Sequence, residues 1–236
     1  VTRITTTPTT KKSEETRARI LEVALALFRK CGFEKATMRD IARESGVALG
    51  AAYYYFDSKD ALVMAFYERA QRELDPLLED ALSKTQGLEE RLRAVVDVKF
   101  NYFAPNRKLM GALSAHIDPQ HPLSPFSEET RAIRERDIAF LSAAVEGAKV
   151  RIPDDLKMHL PRVLWLYQMG LLLFWVYDPS PAQTRTRQLF EKSLSIVVNL
   201  IKFSILPLMR PVRKLATDLF EIVYDEEEST ADRVTK

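Results

Sequence analysis

Prolines at positions 105, 119, 122, 125, 153, 179 and 181 divide the second half of this chain into lengths that suit helices and little else. A proline removes a backbone donor and clashes with the preceding turn, so it belongs at helix boundaries. Between these breaks no period-two alternation appears, and glycine is scarce, with 7 in 236 residues. The spacing predicts helices near 88–103, 106–117, 126–149, 156–177 and 182–206, and Pro207 and Pro211 set off a last one near 210–224. Upstream, Ile20, Val23, Ala24, Leu27 and Phe28 share one face of a helix from about Ser13 to Cys31. Ser58 can cap a long helix reaching about Leu82, in which Pro76 predicts a kink.

Between these two helices lies the stretch TMRDIARESGVALGAAYYYFDSKDAL, Thr37 to Leu62. Thr37 can cap a short helix whose apolar positions Met38, Ile41 and Ala42 recur at helical spacing. Gly46 stands where a tight turn needs positive φ, and Val47 can plug the space between two segments. The next segment, Ala48 to Tyr54, is short and rich in small residues. That is the layout of a helix-turn-helix, whose second helix enters the DNA major groove.

Thr37, Arg39, Ile41-Ala42, Gly46-Val47, Gly50, Tyr53, Tyr55-Phe56, Lys59 and Leu62 follow one another in an ordered pattern. With Ile20-Leu21, Ala24, Leu27-Phe28 and Gly32-Phe33 before it, the first quarter of the chain resembles the TetR family of bacterial one-component transcriptional regulators. Beyond Leu62 the resemblance is one of architecture. The fold class expected is all-α, an N-terminal three-helix helix-turn-helix DNA-binding domain followed by a larger helical ligand-binding and dimerisation domain. The expected divisions are a flexible basic arm at 1–13, the DNA-binding domain at 14–62, the effector-binding and dimerisation domain at 63–224 and an acidic tail at 225–236. Family arms of this kind can lie along DNA, and Arg3, Lys11 and Lys12 can do so. An untethered terminus is the equal alternative.

The recognition segment, Ala48 to Ala52, contains no Arg, Lys, Asn or Gln, the side chains that contact base edges in bidentate fashion. Ala48, Leu49, Gly50, Ala51 and Ala52 instead let the backbone come close, with Leu49, Ala51 or Ala52 against thymine methyl groups. Hydrogen-bonded readout then falls to Arg39 and the Tyr54 hydroxyl. Thr37, Tyr53, Tyr55 and Lys59 are assigned to phosphates, which position rather than specify. Tyr53 reads equally as core, and Phe56 reads as core. Ala48 departs from the family pattern, in which a Ser or Thr caps this helix and binds phosphate.

Composition fits such a regulator. The formal net charge is only +2, with Lys and Arg in slight excess over residues 1–70 and in slight deficit after them. This suits a local DNA-facing patch rather than nonspecific coating. The single cysteine, Cys31, excludes an intrachain disulfide and reads as a packed small apolar residue. Histidines at 116, 121 and 159 lack metal-ligand spacing, and no nucleophile elbow, phosphate loop or CxxC pair is present. An enzyme is therefore not expected, nor a cofactor or metal. The N-terminus lacks the order of a signal peptide, so the expected location is cytoplasmic.

One helix-turn-helix reads few base pairs, so a homodimer on a palindromic double-stranded operator is expected. Val163 to Tyr177 is apolar around its whole circumference and too short for a membrane span. Core on one side and a partner subunit on the other accounts for it. The interface is assigned to Trp165, Leu172, Trp175, Leu194, Val197, Val198 and Ile201. The family resemblance also implies an unknown small-molecule effector, hydrophobic by the lining available. Phe103, Met110, Leu113, His116, Asp137, Phe140, Trp165, Gln168 and Met169 are the lining residues assigned, and plain core is the bland alternative for each apolar one. Arg134 and Asp137, three apart, read as a pair. Repression is the family's usual mode. The rival reading is a ligand-independent DNA-binding or activator protein of the same fold.

Overall fold

The computed structural model describes residues 11–114 and 116–220, all of whose regular structure is helical. Of the expected arm only Lys11, Lys12 and Ser13 lie in this range, and they belong to the first helix; Arg3 and the acidic tail lie outside the described residues. By contacts the chain divides into two compact units. Of the described residues, the first holds 11–74 together with Tyr102–Arg134, and the second holds Asp75–Asn101 and 135–220.

In the first unit α1 (Lys11–Cys31) buries Ile20, Leu21, Ala24, Leu25 and Phe28 along one face. Each large apolar side chain so enclosed contributes about 1.5–3 kcal/mol. Cys31 is exposed rather than packed, because it falls on the outer face at the helix end, where its thiol donates to the Leu27 carbonyl at 3.1 Å. α2 (Met38–Ser45) opens on a capping box: the Asp40 amide donates to Thr37 Oγ1, and the Thr37 amide to the Asp40 carboxylate. Gly46 closes it at φ 69°, with its N–H turned back on the Ala42 and Arg43 carbonyls. α3 (Leu49–Tyr55) follows after the three residues Gly46, Val47 and Ala48, and α4 (Lys59–Ser83) starts where the Ala61 amide donates to Ser58 Oγ at 3.1 Å. Helix α4 runs on through Pro76 to Ser83, so its residues contribute to both units.

Tyr102 onward returns to the first unit, where α6 (Arg107–Leu113) packs on α1 and Arg29 donates to the Asn106 side chain at 2.9 Å. The expected helix at 126–149 starts late. Ser124, Ser127 and Thr130 hydroxyls bond to backbone carbonyls between Ile117 and Ser127, knotting that stretch into turns before α7 (Arg131–Glu146) begins.

The second unit comprises the end of α4, α5 (Leu88–Phe103, to Asn101), α7 from Glu135, α8 (Asp154–Lys157), α9 (Leu160–Tyr177), α10 (Thr184–Phe203) and α11 at 210–220. The expected span at 156–177 is thus two helices, with Pro161 in the first turn of the second, where its missing donor costs nothing. Arg91, which no sequence signal singled out, is buried and joins two helix ends. Its guanidinium donates to Leu82 and Thr85 carbonyls at the end of α4 and to Ala143 and Ala144 carbonyls near the end of α7, at 2.7–3.0 Å. A Cβ on Gly147 would run into that guanidinium. Between α9 and α10, Asp178 accepts from the Ser180 amide and from both the amide and the hydroxyl of Thr186.

Candidate functional site

The helix-turn-helix presents a small, uncommitted surface. Arg39, on the first turn of α2, is exposed and has no hydrogen-bond or ion-pair partner among the described residues. Its neighbour Arg43 is occupied by Asp40 at 2.9 Å and by Glu44. The Asp40 carboxyl is held below its usual range by the Thr37 hydroxyl, with Arg43 adding to the effect. On α3, Ala52 is fully buried and fixes the helix against the core, so that Ala48, Leu49, Gly50, Tyr53 and Tyr54 turn outward. A Cβ on Gly50 would meet nothing, so its backbone faces open space. Tyr54 is 82 % exposed, with its ring edge-on to Tyr55. Ala48 makes no side-chain cap, so no side chain of that residue takes up the first amides of α3.

The residues assigned to phosphate divide. Tyr53 is exposed rather than core, and Phe56 is buried. Thr37 has its hydroxyl committed to Asp40, and Tyr55 accepts from Ser13 at 3.3 Å. Lys59 is turned inward. Its ammonium donates to the Phe33 carbonyl at 2.7 Å and lies over the Phe33 ring, tying the start of α4 to the turn before α2. The family resemblance assigned Lys59 to a phosphate; only the tertiary fold reveals carbonyls within its reach.

The residues assigned to an effector lining are divided between the two units. Phe103, Met110, Leu113 and His116 belong to the first unit, whereas Asp137, Phe140, Trp165, Gln168 and Met169 belong to the second. His116 stacks on His121, with ring centroids 3.9 Å apart. Arg134 and Asp137 do not pair, because each finds a better partner off its own helix. Arg134 donates to Pro125 and Ser127 carbonyls, and Asp137 lies 2.9 Å from Lys99 Nζ on α5. Lys99 was legible as a cation two turns after Leu92 on an apolar face, but no motif marked it.

Trp165, Trp175, Leu194, Val198 and Ile201, assigned to a partner interface, are buried within their own chain. Leu172 and Val197 are half-buried. The apolar residues that α9 and α10 leave outward are displaced by one helical step: Leu166, Leu173, Phe174, Leu189, Ile196 and Leu200. A groove of about 400 Å³ lies among Phe174, Leu189 and Ile196, with Arg185 and Lys192 at its edge.

Among the described residues no group of three or more His, Cys, Asp or Glu is placed to hold a metal ion, and no single helix is long and apolar enough to cross a membrane. Residues 20–66 match a family described as bacterial regulatory proteins, tetR family, and residues 91–221 match one described as tetracyclin repressor-like, C-terminal domain. The chain is 33% identical over 119 residues to the HTH-type transcriptional regulator BetI of Agrobacterium fabrum, an alignment covering 50% of this chain and 55% of that one. It therefore spans little more than half the length of that relative. It is 36% identical over 185 residues to the HTH-type transcriptional regulator TtgR of Pseudomonas putida, covering 72% of this chain and 85% of the other. In structure it is similar to a transcriptional regulator FadR from Bacillus subtilis solved in complex with stearoyl-CoA, with a TM-score of 0.57 at 14% identity over 75% of this chain and 97% of that one. That likeness is one of fold alone.

Proposed function

Because the chain belongs to the TetR family of bacterial transcriptional regulators, we propose that it binds operator DNA as a homodimer, represses there, and is released by a small molecule held in its second unit. The observation that carries this reading is the pairing of an exposed, unengaged Arg39 with an outward Tyr54 across the Gly46 turn. Arg39 supplies the guanidinium fork that α3 lacks, and Tyr54 supplies a hydroxyl. The small side chains between them admit the groove edge closely. Two copies related by a two-fold axis read two half-sites one helical turn apart. The outward apolar face of α9 and α10 is the surface assigned to that pairing.

Selection of bound duplexes from a random pool tests the reading. The expected product is a palindrome, and Arg39→Ala weakens binding to it by about ten- to a hundredfold while relaxing one base position per half-site. Recovery of no preferred sequence, or an unchanged preference in Arg39→Ala, overturns this assignment.

A further inference from the structure

Two of the most enclosed polar side chains in the second unit are imperfectly matched by the protein around them. Lys99 is 4 % exposed, and its Nζ, though 2.9 Å from Asp137 Oδ1, is aligned for a hydrogen bond to no protein atom. Gln168 is 3 % exposed, and its Oε1 receives no donor. An unpaired buried acceptor such as Gln168 Oε1 costs about 1–3 kcal/mol, and burying the Lys99–Asp137 ion pair costs desolvation that its attraction offsets only in part. An apolar residue at either position would remove that cost.

Both groups face the same layer. The Arg93–Glu191 ion pair and the Ser195–Glu89 hydrogen bond set α10 antiparallel to α5. The short Asp178 turn and the Tyr167–Ser193 bond set α9 antiparallel to α10. Helices α5 and α9 therefore run in the same direction, and Phe100 stacks on Trp175 at 5.0 Å and 17°. Lys99 adjoins that stack, and Gln168 lies two turns back along α9, about 10 Å away.

The charge of a partner able to compete with Asp137 follows from burial. The Lys99 side chain is the deeper member of its pair, while the Asp137 side chain is a quarter exposed. Asp137 can be released to water and the ammonium cannot. We propose that this layer of α5, α7 and α9 binds an elongated aromatic carboxylate, its carboxylate replacing that of Asp137 on Lys99, its ring against Phe100 and Trp175, and a hydroxyl at its far end donating to Gln168 Oε1. The proposal rests on the second unit being an effector domain and supplies the chemistry of the effector. Asp137 adjoins Arg136, which holds Asp75 of α4 at 2.7 Å. Displacement at Asp137 thus acts one residue from the tie between α7 and the helix that begins at Lys59.

Calorimetric titration of the full chain with 4-hydroxycinnamate, its methyl ester and 4-methoxycinnamate tests it. The acid is expected to bind at least about tenfold more tightly than the ester, and Gln168→Leu to abolish the preference for hydroxyl over methoxy. Lys99→Met is expected to bind acid and ester alike. Should that variant not fold, Asp137→Asn remains decisive: with the competing carboxylate gone, the acid is expected to bind about tenfold more tightly. Acid and ester binding equally, none of the three binding, or Asp137→Asn leaving acid affinity unchanged overturns the proposal. DNA affinity, followed separately by fluorescence anisotropy, distinguishes the two readings. Acid binding of the expected pattern with no change in DNA affinity retains this site and removes the sensor.

Discussion

At the scale of single residues, Arg39 and Lys59 are both cations placed by one motif, but among the described residues Arg39 has no partner whereas Lys59 has one. Lys59 is held by the Phe33 carbonyl, so its charge serves the fold. Lys59→Met is expected to lower Tm while leaving the slope of log binding constant against log salt unchanged, since that slope counts phosphates neutralised. A slope reduced by about one unit would return Lys59 to the DNA backbone. Asp178 belongs to the same scale. Burial pushes its carboxyl up, but donors from Ser180 and Thr186 outweigh that and hold it well below the usual carboxylate range. A depressed carboxyl stabilises the fold above its unfolded value of about 4, and that stability is lost as pH falls further toward the folded value. Asp178→Asn is therefore expected to lower Tm near neutral pH and to flatten the acid limb of a Tm–pH profile. A profile parallel to that of the wild type would show the turn to be neutral in stability.

Between elements, Arg91 carries the largest polar load. Four carbonyls at the ends of α4 and α7 accept from one guanidinium, positioned where both helix dipoles are negative. Arg91→Met removes the donor that the Thr85 and Ala144 carbonyls take from it, while Leu82 and Ala143 keep the Thr85 and Gly147 amides, and is expected to cost about 3 kcal/mol in urea unfolding. Arg91→Lys should recover only part, because an ammonium lacks the planar fork that spans two helix ends. Full recovery by lysine would mean that charge alone matters. Nothing in the local pattern marks Arg91, which sits among Leu88, Leu92 and Val95 like any charged residue on a helix. Its role exists only once α4 and α7 end beside it. The late start of α7 has the same origin, since the Ser124, Ser127 and Thr130 hydroxyls outbid helix formation through contacts that propensity does not register.

For the molecule as a whole, the face of α9 and α10 that stays outward is the one assigned to a second copy. Ile196→Glu with Leu200→Glu is expected to give a folded monomer by analytical ultracentrifugation, with DNA affinity lowered at least about a hundredfold as two half-sites become one. A dimer that persists moves the interface elsewhere. The all-α class, the capped turn at Thr37–Gly46 and the exposed Arg39 were legible in the sequence, because helix periodicity, caps and positive-φ glycines are local demands that a few neighbouring residues satisfy. Trp165 and Trp175, assigned to a partner, are buried within their own chain, and a helix apolar all round carries no signal of which side its own chain will take. The Lys99–Asp137 pair was missed for a related reason. Its partners are far apart in sequence, and only packing decides which buried charge meets which. Sequence alone determined the all-α class and the helix-turn-helix; the tertiary structure decided several helix bounds and which side chains remain free, because both depend on what the rest of the fold brings within reach.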